Sequence, residues 1–67
     1  MREVEVTWDD IDCEWTAFED DPTNGRIYNK VDIEEFQGGE KLYSVWCLSD
    51  TLEEGILAGI KLIKAVL

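Results

Sequence analysis

The sequence contains no histidine, and this absence removes several kinds of chemistry at once. Without histidine the chain lacks the commonest general base and the Ser–His and Cys–His pairs of nucleophilic enzymes. Paired carboxylates are plentiful, but a 67-residue domain with one core has little room for a deep cleft between them. We therefore expect no catalytic residues and a protein that is not an enzyme.

Cysteines and long apolar runs are also scarce. The two cysteines, Cys13 and Cys47, form no CxxC pair, and residues 1–5 lack the apolar run of a signal peptide. We therefore expect a cytoplasmic protein with reduced, buried thiols; a disulfide between neighbouring strands is the alternative. The uncharged run from Gly55 to Ile60 is six residues long. A membrane-spanning helix needs about 20, so we expect no membrane association.

Calcium-binding loops have a spacing of carboxylates that the chain matches only in part. Asp10, Asp12 and Glu14 alternate like the start of such a loop, but the glycine and the glutamate that should follow are missing. A second candidate around Asp20 has Pro22 in the place of a ligand. We expect no metal site and no cofactor.

Hydrophobic periodicity predicts one α+β domain over residues 1–67. Three tryptophans and a hydrophobic content of 45% argue against disorder. Stretches with strand patterns alternate with turn signals, and a helical pattern closes the chain. The predicted architecture is an antiparallel sheet of three or four strands with one C-terminal helix packed on one face. The strands are expected at about residues 2–8, 11–18, 26–33 and 41–48, and the helix at about 50–66.

The predicted helix is strongly amphipathic. Either Asp50 or Thr51 can cap its start, because each is followed three positions later by a glutamate. Gly59 lies in the middle of the apolar face, where it weakens the helix by about 1 kcal/mol relative to alanine. We expect close approach to a strand at this point. The apolar face consists of Leu52, Ile56, Gly59, Ile63 and Val66.

The first two strands share one apolar face, although apolar residues switch from even to odd positions between them. A two-residue turn at Asp9-Asp10 explains the switch and would pair Val4 with Trp15 and Glu5 with Glu14. A bulge within one long bent strand would have the same effect. The shared apolar face is then Val4, Val6, Trp8, Ile11, Cys13 and Trp15, and the opposite face is Glu3, Glu5, Thr7, Asp12, Glu14 and Thr16.

The third and fourth strands differ in pattern. Residues 26–33 are expected to turn Ile27, Val31 and Ile33 inward. Residues 41–48 are apolar on both faces, which predicts a central position in the sheet. If Tyr43, Val45 and Cys47 meet the helix, the other face carries an apolar patch of Leu42, Trp46 and Leu48. This patch suggests an alternative function, a small structural module that oligomerises through the sheet.

The charge is strongly negative and unevenly distributed. Sixteen acidic and six basic residues give a formal charge of −10. Residues 1–25 hold nine acids and one base, residues 26–50 five acids and three bases, and residues 51–67 two of each. Such acidity excludes direct binding to nucleic acid or to anionic membrane, because phosphates would be repelled.

We predict that the acids form a partner-binding surface. Carboxylates two residues apart on a strand are about 6.6 Å apart. This is of the same order as phosphate spacing in nucleic acid, which advances about 3.4 Å per nucleotide. The candidate residues are Glu3, Glu5, Asp9, Asp10, Asp12, Glu14, Glu19, Asp20, Asp21, Glu34 and Glu35.

The length, the charge and the runs 9–14 (DDIDCE) and 19–21 (EDD) resemble small acidic phage inhibitors that mimic DNA, including some anti-CRISPR proteins. Acidic immunity proteins that block nucleases are similar too. The resemblance implies a phage-encoded protein of the host cytoplasm that blocks the nucleic-acid-binding site of a basic partner, a CRISPR effector or a nuclease. We expect a monomer or a weak homodimer. A third interpretation is a salt-adapted domain without a special partner, in which the acids form only a solvated surface.

Overall fold

A computed structural model describes all residues, 1–67, and contains one antiparallel sheet and one helix. The strands are β1 (Arg2–Asp9), β2 (Glu14–Asp20), β3 (Asp32–Glu35) and β4 (Lys41–Ser49), and the helix is α1 (Leu52–Lys64). The sheet order is β2-β1-β4-β3, and α1 packs across the two central strands, β1 and β4. The predicted α+β architecture is confirmed, with four strands.

The core lies between α1 and the central strands. Alternate residues of β1 and β4 point at the helix. The position of β4 between β1 and β3 confirms the central place that its two-sided apolar pattern predicted. The helix contributes Ile63 as its fully buried side chain. The buried core consists of Val4, Val6, Tyr43, Val45, Cys47 and Ile63.

Thr51, rather than Asp50, caps the helix. Its hydroxyl oxygen accepts a hydrogen bond from the backbone N–H of Glu54 at 3.2 Å. The helix is shorter than predicted at both ends, and it ends at Lys64. Leu52 and Val66, expected on the buried face, are 37% and 48% exposed, and Val66 lies beyond the end of the helix.

Close approach of the helix to β1 is confirmed at two glycines. A Cβ atom at Gly59 would lie 2.6 Å from the Cβ of Val6. A Cβ atom at Gly55 would lie 2.6 Å from Val4 Cγ2 and equally close to Ser49 Oγ. The two glycines are one turn apart and both buried, so α1 lies directly on the β1 side chains.

The β1–β2 hairpin has a different register from the predicted one. A four-residue turn, Asp10 to Cys13, joins the strands, so that Trp8 pairs with Trp15. The Asp9 carboxylate accepts hydrogen bonds from Ile11 N at 2.8 Å and Asp12 N at 3.3 Å, which stabilises this longer turn. Both the two-residue turn and the bulge were therefore wrong.

The changed register has consequences for the predicted faces. Trp15 stays on the helix side and contacts Trp8, with ring centroids 5.0 Å apart. Ile11 and Cys13 are exposed in the turn, where Cys13 has a φ of 51°. Both cysteines are free, and only Cys47 is buried, which raises its thiol pKa. The expectation of buried thiols was wrong for Cys13.

The predicted third strand is mostly irregular. Only Asp32–Glu35 pairs with β4, because Asn29 adopts a φ of 62° and interrupts the extended backbone. A single hydrogen bond, from Asn29 N to Trp46 O at 2.7 Å, holds the preceding segment to β4. Ile33 lies on the helix side, opposite Tyr43, and Val31 is partly buried against the core, as predicted. Ile27 and Ile33 are nevertheless 64% and 51% exposed and do not belong to the core.

Candidate functional site: the open face of the sheet

The sheet face opposite the helix, which we call the open face, carries most of the acidic candidates. Because α1 covers the face of Val4, Val6 and Val45, the alternate residues must point away from it. The open face consists of Glu3, Glu5, Thr7 and Asp9 from β1, Glu14, Thr16, Phe18 and Asp20 from β2, Leu42, Ser44, Trp46 and Leu48 from β4, and Asp32 and Glu34 from β3.

One end of the open face is acidic and lacks cations. Glu14 lies directly opposite Asp9, and Glu34 lies two strands from Asp9, on the far side of Leu42. Neighbouring strands are about 4.8 Å apart, so these carboxylates line one edge of a narrow surface. No basic side chain forms an ion pair with Glu14, Glu34 or Asp9. We call this region the acidic end.

A row of hydroxyl groups lies beside the acidic end. Thr16 pairs with Thr7, and Thr7 pairs with Ser44. Asp32 closes the row, opposite Ser44, and it also lacks an ion pair. Small polar side chains in this row leave the flanking carboxylates accessible to a partner's cationic side chains.

At the other end of the open face, Arg26 neutralises part of the charge. Its guanidinium stacks over Trp46, 3.8 Å from the ring centroid, and pairs with the Glu3 carboxylate. The Tyr28 hydroxyl donates to the other Glu3 oxygen at 3.4 Å. We call Arg26, Glu3, Tyr28 and Trp46 the arginine clasp. Glu3 is fully buried within it, so its assignment as a partner contact was wrong.

Glu5 lies between the arginine clasp and the hydroxyl row. Its neighbours across the sheet are Phe18 on one side and Trp46 on the other. These two rings approach edge to face, with centroids 5.9 Å apart. Burial raises the pKa of Glu5; attraction to Arg26 lowers it by less, and repulsion from Asp20 raises it further.

The acids of the β1–β2 turn have mainly structural contacts. The Asp10 carboxylate accepts from the Trp8 indole N–H at 2.8 Å and from the Lys41 backbone N–H at 3.0 Å. These bonds hold the turn to the start of β4, so Asp10 has little freedom to contact a partner. Asp12 is exposed beside it.

Of the four remaining candidates, only Asp20 lies on the open face. Glu19 points to the helix side and pairs with Arg2 at 2.6 Å. Glu35 also lies on the helix side, 3.9 Å from the Lys41 ammonium nitrogen. Asp21 follows β2 and is exposed, whereas Asp20 is on the open face, 4.0 Å from Arg26. The structure therefore brings together Glu5, Asp9, Glu14, Asp20 and Glu34, and does not bring Glu19, Glu35 or Asp21 to the same surface.

Two features of the site were missed from the sequence. Asp32 was omitted from the candidates, although its predicted outward orientation and its nearness to Glu34 were signals for it. The arginine clasp had no local signal, because Glu3 and Arg26 are 23 positions apart.

No group of three or more His, Cys, Asp or Glu side chains is arranged to hold a metal ion. An open depression of about 610 Å³ lies at the start of α1, away from the open face. It is lined by Arg2, Asp50, Thr51, Leu52, Glu53, Glu54 and Leu57. No helix has the length and apolar character that crossing a membrane requires.

Comparison with known proteins adds no assignment. No protein-family model, no curated protein and no solved structure matches the chain.

Proposed function

We propose that the protein is a non-enzymatic inhibitor whose open face mimics nucleic acid and blocks the nucleic-acid-binding site of a basic protein. The observation that carries this proposal is the group of carboxylates at the acidic end and hydroxyl row, all on one surface and without cation partners. Glu14, Asp32 and Glu34 are the principal members, because the Asp9 carboxylate already accepts two backbone N–H groups of the turn. A CRISPR effector or a nuclease is the partner class that the acidic-inhibitor resemblance favours.

The arrangement of these charges suits a groove that binds phosphates. Asp32 and Glu34 are two residues apart on β3 and so about 6.6 Å apart, close to the advance of two nucleotides in a nucleic-acid strand, about 6.8 Å. Cross-strand repulsion between Asp9 and Glu14 disfavours the isolated fold slightly. Cations from a partner would relieve this repulsion, so the crowded carboxylates favour complex formation.

The basic residues support the same conclusion by their positions. Arg2, Arg26 and Lys41 each pair with an acid outside the acidic end. The carboxylates of the acidic end therefore keep no ion-pair partner, and their negative charge would steer a positively charged groove toward this part of the molecule.

A charge-matched pair of variants tests the proposal. The first variant, E14Q/D32N/E34Q, removes three carboxylates that make no ion pair; the second, D21N/E53Q/E54Q, removes three exposed carboxylates elsewhere. Each protein is immobilised, incubated with bacterial lysate at low salt, and eluted with duplex DNA. We expect nucleic-acid-binding proteins to be captured by the wild type and the second variant, released by DNA, and lost from the first variant. If DNA does not release the captured proteins and the first variant captures them as well as the wild type does, the proposal is refuted.

Salt provides a further criterion. Binding that replaces phosphate contacts should weaken steeply between about 50 and 200 mM salt. Asp10 is unsuitable for charge reversal, because its carboxylate holds the β1–β2 turn to β4 and its loss would disturb the fold.

The second candidate function is an assembly module. Phe18 and Leu48 on the open face are 53% and 37% exposed, which favours this alternative. Arg26 covers Trp46, however, and interrupts the apolar patch expected from the sequence. Sedimentation distinguishes the two functions: a homodimer that persists at high salt favours the assembly module, and a monomer excludes it.

A further inference from the structure

The chain itself contains an example of how the open face binds a guanidinium group. Arg26 combines two contacts, an aromatic ring beneath its plane and a carboxylate beside it. Arginine is suited to both, because its guanidinium is planar, weakly hydrated and able to donate several hydrogen bonds at once. Its remaining solvent exposure is low, at 21% of the side chain.

Phe18, next to the arginine clasp, combines an exposed ring with two nearby carboxylates, and no cation lies over the ring. Its ring is 53% exposed. Glu5 lies directly opposite on β1, and Asp20 follows two residues along β2 on the same face. Glu5 forms no ion pair although it is half-buried, and Asp20 only reaches the edge of Arg26, at 4.0 Å.

We propose that Phe18, with Glu5 and Asp20, is a docking position for an arginine side chain of a basic protein partner. This inference rests on the proposed function and specifies the residue type that anchors the partner. The guanidinium would stack on the exposed Phe18 ring and pair with the two carboxylates, beside the similar Arg26–Trp46 stack. The charge complementarity is local, since only Arg26 offsets the acids of this face.

A lysine would fit this position less well. Its ammonium group is a compact, strongly hydrated charge that cannot stack on a ring as a plane or pair bidentately with a carboxylate. An exposed cation–π contact contributes about 0.5–1 kcal/mol. Arginine and lysine can both form this contact, so its energy sets the upper limit of the preference for arginine, about fivefold for one docked side chain.

Two peptides test the preference: hexa-arginine and hexa-lysine, titrated into the wild-type protein at low salt with calorimetric detection. We expect hexa-arginine to bind more tightly, by up to about fivefold. The variant F18L should remove this preference, and it should weaken the binding of hexa-lysine less than that of hexa-arginine. The control F36L changes an aromatic residue in the β3–β4 connection and should retain the preference.

Equal affinity for the two peptides in the wild type, or a preference that survives F18L, would overturn the docking position. A circular dichroism spectrum and a urea midpoint for F18L establish that the variant is folded. If the peptide titrations overturn the docking position, the proposed function still stands provided that lysate capture depends on Glu14, Asp32 and Glu34. Conversely, an arginine preference without any DNA-displaceable partner supports the docking position and counts against the proposed function.

Discussion

Replacing Arg26 by alanine provides the sharpest test of how the open face is stabilised. Glu3 is fully buried, and its carboxylate depends on Arg26 and on the Tyr28 hydroxyl. In the variant R26A the negative charge would remain inside the protein with only the long hydrogen bond from Tyr28. Breaking a buried ion pair by removing one partner typically costs about 3–5 kcal/mol.

This cost is large relative to the stability of such a small domain. At about 0.05–0.15 kcal/mol per residue, a chain of 67 residues has a free energy of unfolding of roughly 3–10 kcal/mol. R26A also loses the stacking contact with Trp46, worth about 0.5–2 kcal/mol. We therefore expect R26A to be marginally stable or unfolded at 25 °C.

Urea denaturation followed by tryptophan fluorescence measures the effect, because Trp46 lies beneath the guanidinium. The control is R2A, which breaks the exposed Arg2–Glu19 pair and should cost no more than about 1 kcal/mol. The double variant E3L/R26L, which replaces the buried pair by apolar residues, should recover most of the stability lost in R26A.

The outcomes are clearly separated. If R26A loses no more stability than R2A, burial of Glu3 does not impose the expected cost and the reasoning fails. If R26A is unfolded and E3L/R26L is unfolded too, the loss comes from the stacking contact or from the segment that carries Arg26, not from the unpaired charge.

Three further substitutions have defined outcomes. Folding raises the pKa of Glu5 above its ordinary value of 4.5, so the native state binds this proton more tightly than the unfolded state does. The free energy of unfolding therefore falls as pH rises from the unfolded-state pKa through the folded-state pKa. E5Q should therefore raise the melting temperature at pH 7 but not at pH 3, and an equal effect at both would contradict this. G59A should destabilise by about 1–2 kcal/mol in urea, since overpacking against Val6 exceeds the gain of about 1 kcal/mol in helix propensity; a stabilised variant would contradict the close approach. D10A loses two hydrogen bonds, including that from the Lys41 N–H, and should cost about 2–3 kcal/mol by the same assay, whereas unchanged stability would leave Asp10 free for a partner.

The parts of the fold that could be predicted were those determined by local periodicity. The apolar repeat of α1, with Gly59 at its centre, implied both the helix and its contact with a strand. The two-sided apolar pattern of β4 implied a central strand. In each case the buried face produces a regular apolar pattern in the sequence, so the prediction needed no knowledge of distant residues.

The hairpin register could not be deduced in the same way. A turn of two residues and a turn of four both keep Trp15 on the face of Val4, because side chains alternate with a period of two. Hydrophobic pattern therefore cannot distinguish them. What decides is the Asp9 carboxylate, which accepts two backbone N–H groups within the turn. Asp-Asp lacks the glycine that a two-residue turn favours, and this was the available signal.

The arginine clasp was unpredictable for a different reason. Sixteen acids compete for six bases, and nothing local assigns Arg26 to Glu3. The pairing arises because residues 21–31 connect β2 and β3, the two edge strands, and must pass by the central strands on the way. This path brings Arg26 to Trp46, and the fold, not the sequence pattern, selects the partner.

The arginine clasp makes the distribution of negative charge over the open face uneven. A uniformly acidic sheet would place its strongest potential near the middle of its charges, but Arg26 removes part of the charge at the Glu3 end. The unpaired acids are then concentrated around Asp9, Glu14 and Glu34, at the other end of the same face. General solubility requires no such separation, because charges scattered over the surface would serve equally well. A partner that inserts its cations at one end and an arginine beside Phe18 would use both halves of the face, and this asymmetry supports a binding surface over a merely solvated one.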